Sequence, residues 1–145
     1  MKRRAGLFIL AAALVSFSAG AQENVHSPEA PARSYGQNYK DMVLATCVAQ
    51  AYQADPGAAT DAGSSVSALR DWTYYDMEAA PDEIKALVDA YLARNYFNPL
   101  AEAEVKGVKF AMLKCLDLYH SKALDEQVKK LVINPQHSYR QDNPR

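Results

Sequence analysis

From Tyr35 to the C-terminus, apolar side chains recur at intervals of three and four residues, which is the spacing of amphipathic α-helices. The first such run predicts a helix over residues 37–53. Its expected apolar face consists of Tyr39, Met42, Val43, Thr46 and Cys47. Asp55 and Pro56 end this helix and can begin the next, as N-cap and first helical residue. No alternating strand pattern and no internal repeat occurs, so the predicted fold class is all-α.

The remaining predicted helices differ in the side chains that they present. Residues 58–68 are nearly all Ala, Gly, Ser and Thr, so a second helix there can approach a neighbour closely. Pro81 begins a third helix, residues 105–119 form a fourth, and Ser121 caps a fifth. The apolar face expected for the fourth helix consists of Val105, Val108, Met112, Cys115, Leu116 and Tyr119. These patterns predict a compact bundle of about five helices.

The N-terminal residues 1–21 have the features of a secretory signal peptide. A basic start is followed by an apolar run over residues 7–17, and small residues precede a cleavage point after Ala21. The apolar run is too short to span a bilayer, so we expect an exported, soluble protein with no membrane anchor. Residues 22–34 contain prolines and no periodic pattern, which predicts a flexible lead-in outside the fold.

The net charge of the chain limits the classes of molecule that it can be expected to bind. The chain carries 16 basic and 17 acidic residues, and loss of residues 1–21 leaves a formal charge of −4. A nucleic-acid-binding protein would show a basic excess on one face, so we expect no nucleic-acid partner. Nine tyrosines stand against four phenylalanines and one tryptophan. Because tyrosine combines apolar area with a polar tip, this composition favours half-buried positions and protein interfaces.

Two cysteines, Cys47 and Cys115, both lie in the exported part of the chain. An even number of cysteines in an oxidising compartment favours a disulfide. Since both lie on apolar faces, the bond would join the predicted first and fourth helices across the core. Two buried free thiols are the alternative.

Patterns of catalytic and metal-binding residues are missing from the sequence. The three histidines form no metal-binding spacing with each other or with the cysteines, so we expect no metal and no cofactor. There is no Gly-x-Ser-x-Gly motif and no phosphate-binding loop. The acidic cluster of Glu78, Asp82 and Glu83 is interpreted as a solvated helix start, favourable to the helix dipole. The chain is therefore expected not to be an enzyme.

Four longer stretches carry a family resemblance. They are YKDMVLATC at residues 39–47, AGSSVSALRDWTYY at 62–75, KCLDLYHS at 114–121 and YRQDNP at 139–144. In content and order they resemble the amidase immunity proteins of type VI secretion systems. The resemblance covers nearly the whole chain after the lead-in and marks residues 35–145 as one all-α immunity domain.

This resemblance implies a periplasmic antitoxin. Members of the family are small helical proteins, generally homodimeric, that bind a papain-like Cys–His peptidoglycan amidase effector, commonly as a two-plus-two complex. Inhibition is expected from a protruding loop or helix end that enters the effector's catalytic cleft, and residues 95–104 and 72–82 have suitable properties. The candidate effector-binding residues are Tyr96, Phe97, Asn98, Glu102 and Glu104 in the first segment and Trp72, Tyr74, Tyr75 and Glu78 in the second. For each aromatic residue, packing in the core or in a dimer is the competing interpretation.

Two other functions remain open at this point. A periplasmic protein-binding or chaperone-like module with another partner would use the same aromatic residues and acidic rim. An enzyme acting on envelope glycans would use Glu78 and its acidic neighbours. The sequence also leaves open whether the helix of residues 58–68 or the stripe of the fourth helix forms the dimer contact.

Overall fold

The structure, a computed structural model, describes residues 26–144, and the predicted signal peptide at residues 1–21 lies outside them. The described chain contains a short 3-10 helix and seven α-helices, of which five have nine residues or more. In chain order these are the 3-10 helix Ala30–Ala32, α1 Tyr35–Ala51, α2 Pro56–Arg70, α3 Ala80–Leu92, α4 Pro99–Glu104, α5 Ala111–Tyr119, α6 Lys122–Leu131 and α7 Tyr139–Asp142. Between residues 26 and 144 no β-strand occurs, which confirms the predicted all-α bundle.

The first helix, α1, is the centre of the bundle and packs against α2, α3, α5 and α6. It begins at a capping box, in which the Ser34 hydroxyl accepts from the backbone N–H of Gln37. The predicted apolar face is confirmed for four of its five members, which are fully buried: Tyr39, Met42, Val43 and Cys47. Burial of a side chain such as Met42 or Val43 contributes about 1.5–3 kcal/mol. The core of the molecule is therefore built around this helix.

The predicted caps of two further helices are also confirmed. At the start of α2, the Asp55 carboxylate accepts from the backbone N–H groups of Gly57 and Ala58, and Pro56 is the first helical residue. At the start of α6, the Ser121 hydroxyl accepts from the backbone N–H of Leu124 over 3.1 Å. Side-chain oxygens at these positions satisfy N–H groups that have no partner inside the helix.

The prediction for the fourth helix is wrong in its extent and its buried face. The helix begins at Ala111 instead of near Val105, because the preceding loop contains two left-handed residues, Gly107 and Phe110. Of the six residues expected on the apolar face, only Cys115 is buried; the other apolar residue that α5 buries is Leu118. The residues between Val105 and Phe110 thus form a loop, and Val105 is exposed.

The packed fold begins upstream of Tyr35. Ala30 lies in the region expected to be a flexible lead-in, yet it is buried and belongs to the 3-10 helix. The reason is Asn38, a fully buried side chain whose amide donates to the carbonyls of Ala30, over 2.8 Å, and Trp72, over 3.1 Å. A buried amide needs such partners, and they bind this segment to the first turn of α1.

Hydrogen bonds also fix the C-terminal segment to the start of α1. The buried Tyr35 hydroxyl donates to Oδ2 of Asp142 over 2.9 Å, and Nδ1 of His137 lies 3.0 Å from the other carboxylate oxygen. The backbone N–H of Tyr35 donates to the carbonyl of His137. Because α7 also contacts the 3-10 helix, the two ends of the described chain lie together.

The predicted disulfide is confirmed. Cys47 of α1 is bonded to Cys115 of α5, with the two Cα atoms 5.7 Å apart, and both residues are fully buried. The bond joins helices whose cysteines are 68 positions apart in the chain. It fixes α5, a helix of only nine residues, directly to the central helix of the bundle.

Candidate functional site

The connection between α3 and α5 projects the most exposed apolar side chains of the described chain. We call residues 93–104, which include α4, the α3–α4 segment. Within it, Phe97 is 72% exposed and Leu100 is 82% exposed. None of the residues of α4 is buried, so this helix contributes nothing to the core. Isolated exposed apolar residues are common, but two large ones on a projecting segment indicate a contact surface.

Side-chain hydrogen bonds hold the backbone of this segment at both ends of α4. Asn98 is the N-cap of α4, and its side chain accepts from the backbone N–H groups of Leu100 and Ala101. Pro99 follows at the first helical position, where its fixed φ favours the helix. At the other end, the Glu102 carboxylate accepts from the backbone N–H of Gly107 over 2.9 Å. The side chains of Asn98 and Glu102 therefore fix the local backbone conformation through hydrogen bonds.

Tyr96 is held by α5 and does not project. Its half-buried side chain donates a hydrogen bond from the phenol to the Asp117 carboxylate, and the Lys114 ammonium lies 5.7 Å from the ring centroid. The hydrogen bond to Asp117 raises the pKa of the Tyr96 phenol, although the nearby Arg94 acts in the opposite direction. Of the two aromatic residues predicted as anchors, Phe97 is thus the one with a free ring.

The predicted acidic residues of the segment have different environments. Glu102 is partly covered and hydrogen-bonded to the loop after α4, whereas Glu104 is exposed at the last position of that helix. An exposed carboxylate of this kind affects the rate of association more than the affinity.

The second predicted segment, residues 72–82, packs closely against the bundle. Trp72 is half-buried against the core, and the ring of Tyr75 packs edge-on against Tyr39 with centroids 5.6 Å apart. The ring of Tyr74 lies between those of Tyr35 and Tyr139, at centroid distances of 4.9 and 6.2 Å. Each aromatic ring of this segment therefore takes part in packing within the chain.

Hydrogen bonds also fix the backbone of residues 72–82. The N–H of Asp76 donates to the carbonyl of Leu131, and the carbonyl of Tyr74 accepts from the N–H of Ile133. The side chain of Asp76 accepts from the N–H groups of Glu78 and Ala79. Glu78 itself is exposed beside the exposed Met77. Of the two predicted segments, this one presents the smaller free apolar surface.

The stripe of the predicted fourth helix is one of the two dimer contacts that the sequence left open, but sequence reasoning missed Leu113 and did not separate the exposed residues of α5 from its buried ones. Met112, Leu113 and Leu116, here called the α5 face, are all exposed, and Tyr52 at the end of α1 is exposed beside them. A shallow groove of about 340 Å³ separates this face from the α3–α4 segment and is lined by Tyr96, Phe97, Asn98, Phe110 and Leu113. The signal that could have revealed this face is Gly107, because a glycine within a helical pattern disfavours continuing the helix.

Two further observations concern residues 26–144 alone. Residues 26–144 contain no cluster of three or more His, Cys, Asp or Glu side chains that could hold a metal ion. No helix in this range is long and apolar enough to cross a membrane.

Comparison with known proteins identifies the family. The family model Tai4, described as type VI secretion system (T6SS) amidase immunity protein, matches residues 37–128. The chain belongs to this family. Its members are immunity proteins and not enzymes, and the resemblance seen in the sequence is confirmed. The family match covers the candidate surface, including the α3–α4 segment and α5.

A solved structure is also similar to this chain. It comes from work described as "New Type VI-secreted toxins and self-resistance proteins in Serratia marcescens" and superposes with a TM-score of 0.74. The two chains are 29% identical, and the alignment covers 87% of this chain and 99% of the other. None of the curated proteins that were compared matches the chain.

Proposed function

We propose that this Tai4-family protein acts in the periplasm, where it blocks the catalytic cleft of a papain-like peptidoglycan amidase by inserting the α3–α4 segment. The observation that carries the proposal is the exposure of Phe97 and Leu100 on a projecting segment whose helix buries nothing in its own fold. The family supplies the class of effector, an amidase. A cleft that accepts an extended peptide is best filled by a protruding, partly apolar element.

The internal bonds of the segment favour tight binding. Asn98 caps α4, Pro99 restricts its first turn, and Glu102 fixes the following loop. A segment that is ordered before binding loses less conformational entropy in the complex. Phe97 is the expected anchor, with Leu100 beside it, and truncation of a buried aromatic anchor typically costs about 2 kcal/mol or more.

The proposed location and role follow from the N-terminus and from the family. Residues 1–21 have the pattern of a cleavable signal peptide, which would bring the protein to the compartment where peptidoglycan is accessible. The acidic charge of −4 that cleavage leaves, together with Glu104 on the segment, suits an effector with a basic rim around its cleft. In this role the protein itself needs no catalytic residues, metal or cofactor.

We further propose that the protein is a homodimer that binds the effector as a two-plus-two complex. The sequence left two candidate contacts, and burial now favours the one on α5. Met112, Leu113 and Leu116 form an exposed apolar face, whereas Val66 and Leu69 of α2 already pack in the core of the same chain. Large apolar side chains that are adjacent and uncovered are typical of protein interfaces.

The test of insertion is a binding measurement with single substitutions. Phe97→Ala and Leu100→Ala are titrated into the cognate amidase by calorimetry, and inhibition of peptidoglycan cleavage is measured in parallel. Loss of an anchor worth 2 kcal/mol weakens binding about 30-fold, and the Phe97 variant should lose at least this much. Met77→Ala is the matched control, because this side chain is also exposed but lies on the 72–82 segment.

Two outcomes of the binding measurements would contradict insertion of the α3–α4 segment. If both variants bind and inhibit like the unchanged protein while Met77→Ala or Glu78→Ala weakens binding, the 72–82 segment makes the contact. If the unchanged protein binds several unrelated periplasmic proteins weakly and the amidase no better, it is a chaperone-like module.

A further inference from the structure

One short stretch of α5 is bonded to three different parts of the molecule. Lys114 donates to the last turn of α3, Cys115 is bonded to α1, and Asp117 accepts from Tyr96 in the α3–α4 segment. Because these positions lie within one turn of each other, α5 connects the centre of the bundle to the end of α3 and to Tyr96, near the beginning of the α3–α4 segment.

The contact at the end of α3 involves a buried cation. Lys114 is only 8% exposed, and its ammonium donates to the carbonyl of Leu92 over 3.1 Å. Leu92 is the last residue of α3, and the last turn of that helix has no basic residue of its own. Carbonyls at a helix C-terminus lack partners and carry partial negative charge, so a lysine from another helix is favourable there.

The contact with Tyr96 has two components. The ring faces the Lys114 ammonium at 5.7 Å, which is within the range of a cation–π interaction, and the phenol donates to Asp117. Lys114 and Asp117 thus hold the two ends of one side chain. Tyr96 is followed directly by Phe97, whose side chain is exposed.

We propose that Lys114, Tyr96 and Asp117 form a clamp that orients the α3–α4 segment, with the disulfide at Cys115 holding the clamp to α1. These are positioning residues: they lie behind the projecting tip and act through Phe97 and Leu100. The consequence for effector binding rests on the proposed function, whereas the clamp itself is a property of the free protein and is testable without any effector.

The direct test is hydrogen exchange of the free, oxidised protein. Asp117→Ala removes the acceptor of the Tyr96 phenol and is expected to speed exchange of the hydrogen-bonded amides at residues 100–105 about fivefold, which corresponds to one ordinary hydrogen bond. Asp117→Asn retains an acceptor oxygen and should restore most of the protection. Lys114→Met removes the cation with similar volume, and Lys114→Arg is its conservative partner.

A second readout distinguishes orientation from general destabilisation. With selectively labelled tyrosine, NMR titration follows the Tyr96 phenol, whose pKa should fall toward its ordinary value in Asp117→Ala. Amides of α1 around Met42 serve as the internal control and should exchange as in the unchanged protein. If exchange of the amides at residues 100–105 stays within twofold in both Asp117→Ala and Lys114→Met, the clamp is refuted.

Binding to the amidase separates this inference from the proposed function. If both proposals hold, Asp117→Ala weakens binding about fivefold and Asp117→Asn recovers it, while the tip residues are unchanged. If exchange becomes faster but binding is unaffected, the clamp is supported and insertion of this segment is refuted.

Discussion

Reduction of the bond between Cys47 and Cys115 is expected to lower the free energy of unfolding by about 4 kcal/mol. The bond closes a loop of 68 residues, and in the chain-entropy model a loop of that length restricts the unfolded chain by this amount. Domains of this size have total stabilities of about 5–15 kcal/mol. The disulfide therefore supplies a substantial part of the stability of the fold.

The structure indicates that reduction of the disulfide will destabilise α5 before the other helices. Besides its cysteine, this helix buries only Leu118 and the side chain of Lys114, so few apolar contacts remain once the bond is broken. Its amides should lose protection before those of α1, in which Tyr35, Tyr39, Met42 and Val43 are fully buried in the core besides the cysteine.

The assay is equilibrium unfolding in urea, followed by circular dichroism, with and without reductant. With a urea dependence of about 1.5 kcal/mol per molar, a loss of 4 kcal/mol moves the midpoint down by about 2–3 M. The variant Cys47→Ala/Cys115→Ala is the control: it should unfold near the reduced protein and not respond to reductant. A midpoint that moves by less than about 0.5 M on reduction would refute the reasoning from loop length.

Two other predictions concern Asp142 in α7 and Leu113 on the α5 face. The pKa of Asp142 is lowered mainly by its hydrogen bond with His137 and to a smaller extent by that with Tyr35. The ionised carboxylate therefore stabilises the folded protein fully above the pKa of Asp142 in the unfolded chain. This stabilisation is lost as the pH falls through the lower pKa of Asp142 in the folded protein. Thermal unfolding should therefore show Asp142→Asn less stable than the unchanged protein at pH 7, with the difference vanishing at strongly acidic pH; a difference that persists there would contradict the assignment. On the α5 face, Leu113→Glu should shift the mass by light scattering from dimer to monomer, and a monomer mass for the unchanged protein would contradict the dimer.

Much of the fold could be predicted because its signals are local. Asp55 and Ser121 cap helices through N–H groups two or three residues away, and the buried face of α1 repeats with the helical period. The start of α5 could not be predicted in this way. Val105 and Val108 fit a helical pattern, but the chain takes left-handed conformations at Gly107 and Phe110, and a phenylalanine gives no sign of one.

The candidate site was predictable as a region but not residue by residue. The sequence indicates residues 95–104 as a protruding, proline-stiffened segment between two helices, but the helix that begins there at Pro99 was not predicted. The different roles of Tyr96 and Phe97 depend on Asp117, which is 21 positions further along the chain. This long-range contact decides that Tyr96 is held and Phe97 is free. Such a contact cannot be read from the spacing of residues in a single sequence.

The absence of buried side chains in α4 has a consequence for how this protein can change over generations. Substitutions at exposed positions outside caps and hydrogen-bond networks usually alter stability by less than about 0.5 kcal/mol. Leu100, Ala103 and Glu104 are such positions, and they lie where we propose the toxin is recognised. New residues can therefore be tried there against an altered toxin while the disulfide-linked core keeps folding. Recognition and folding are inherited in one chain but can be selected almost independently.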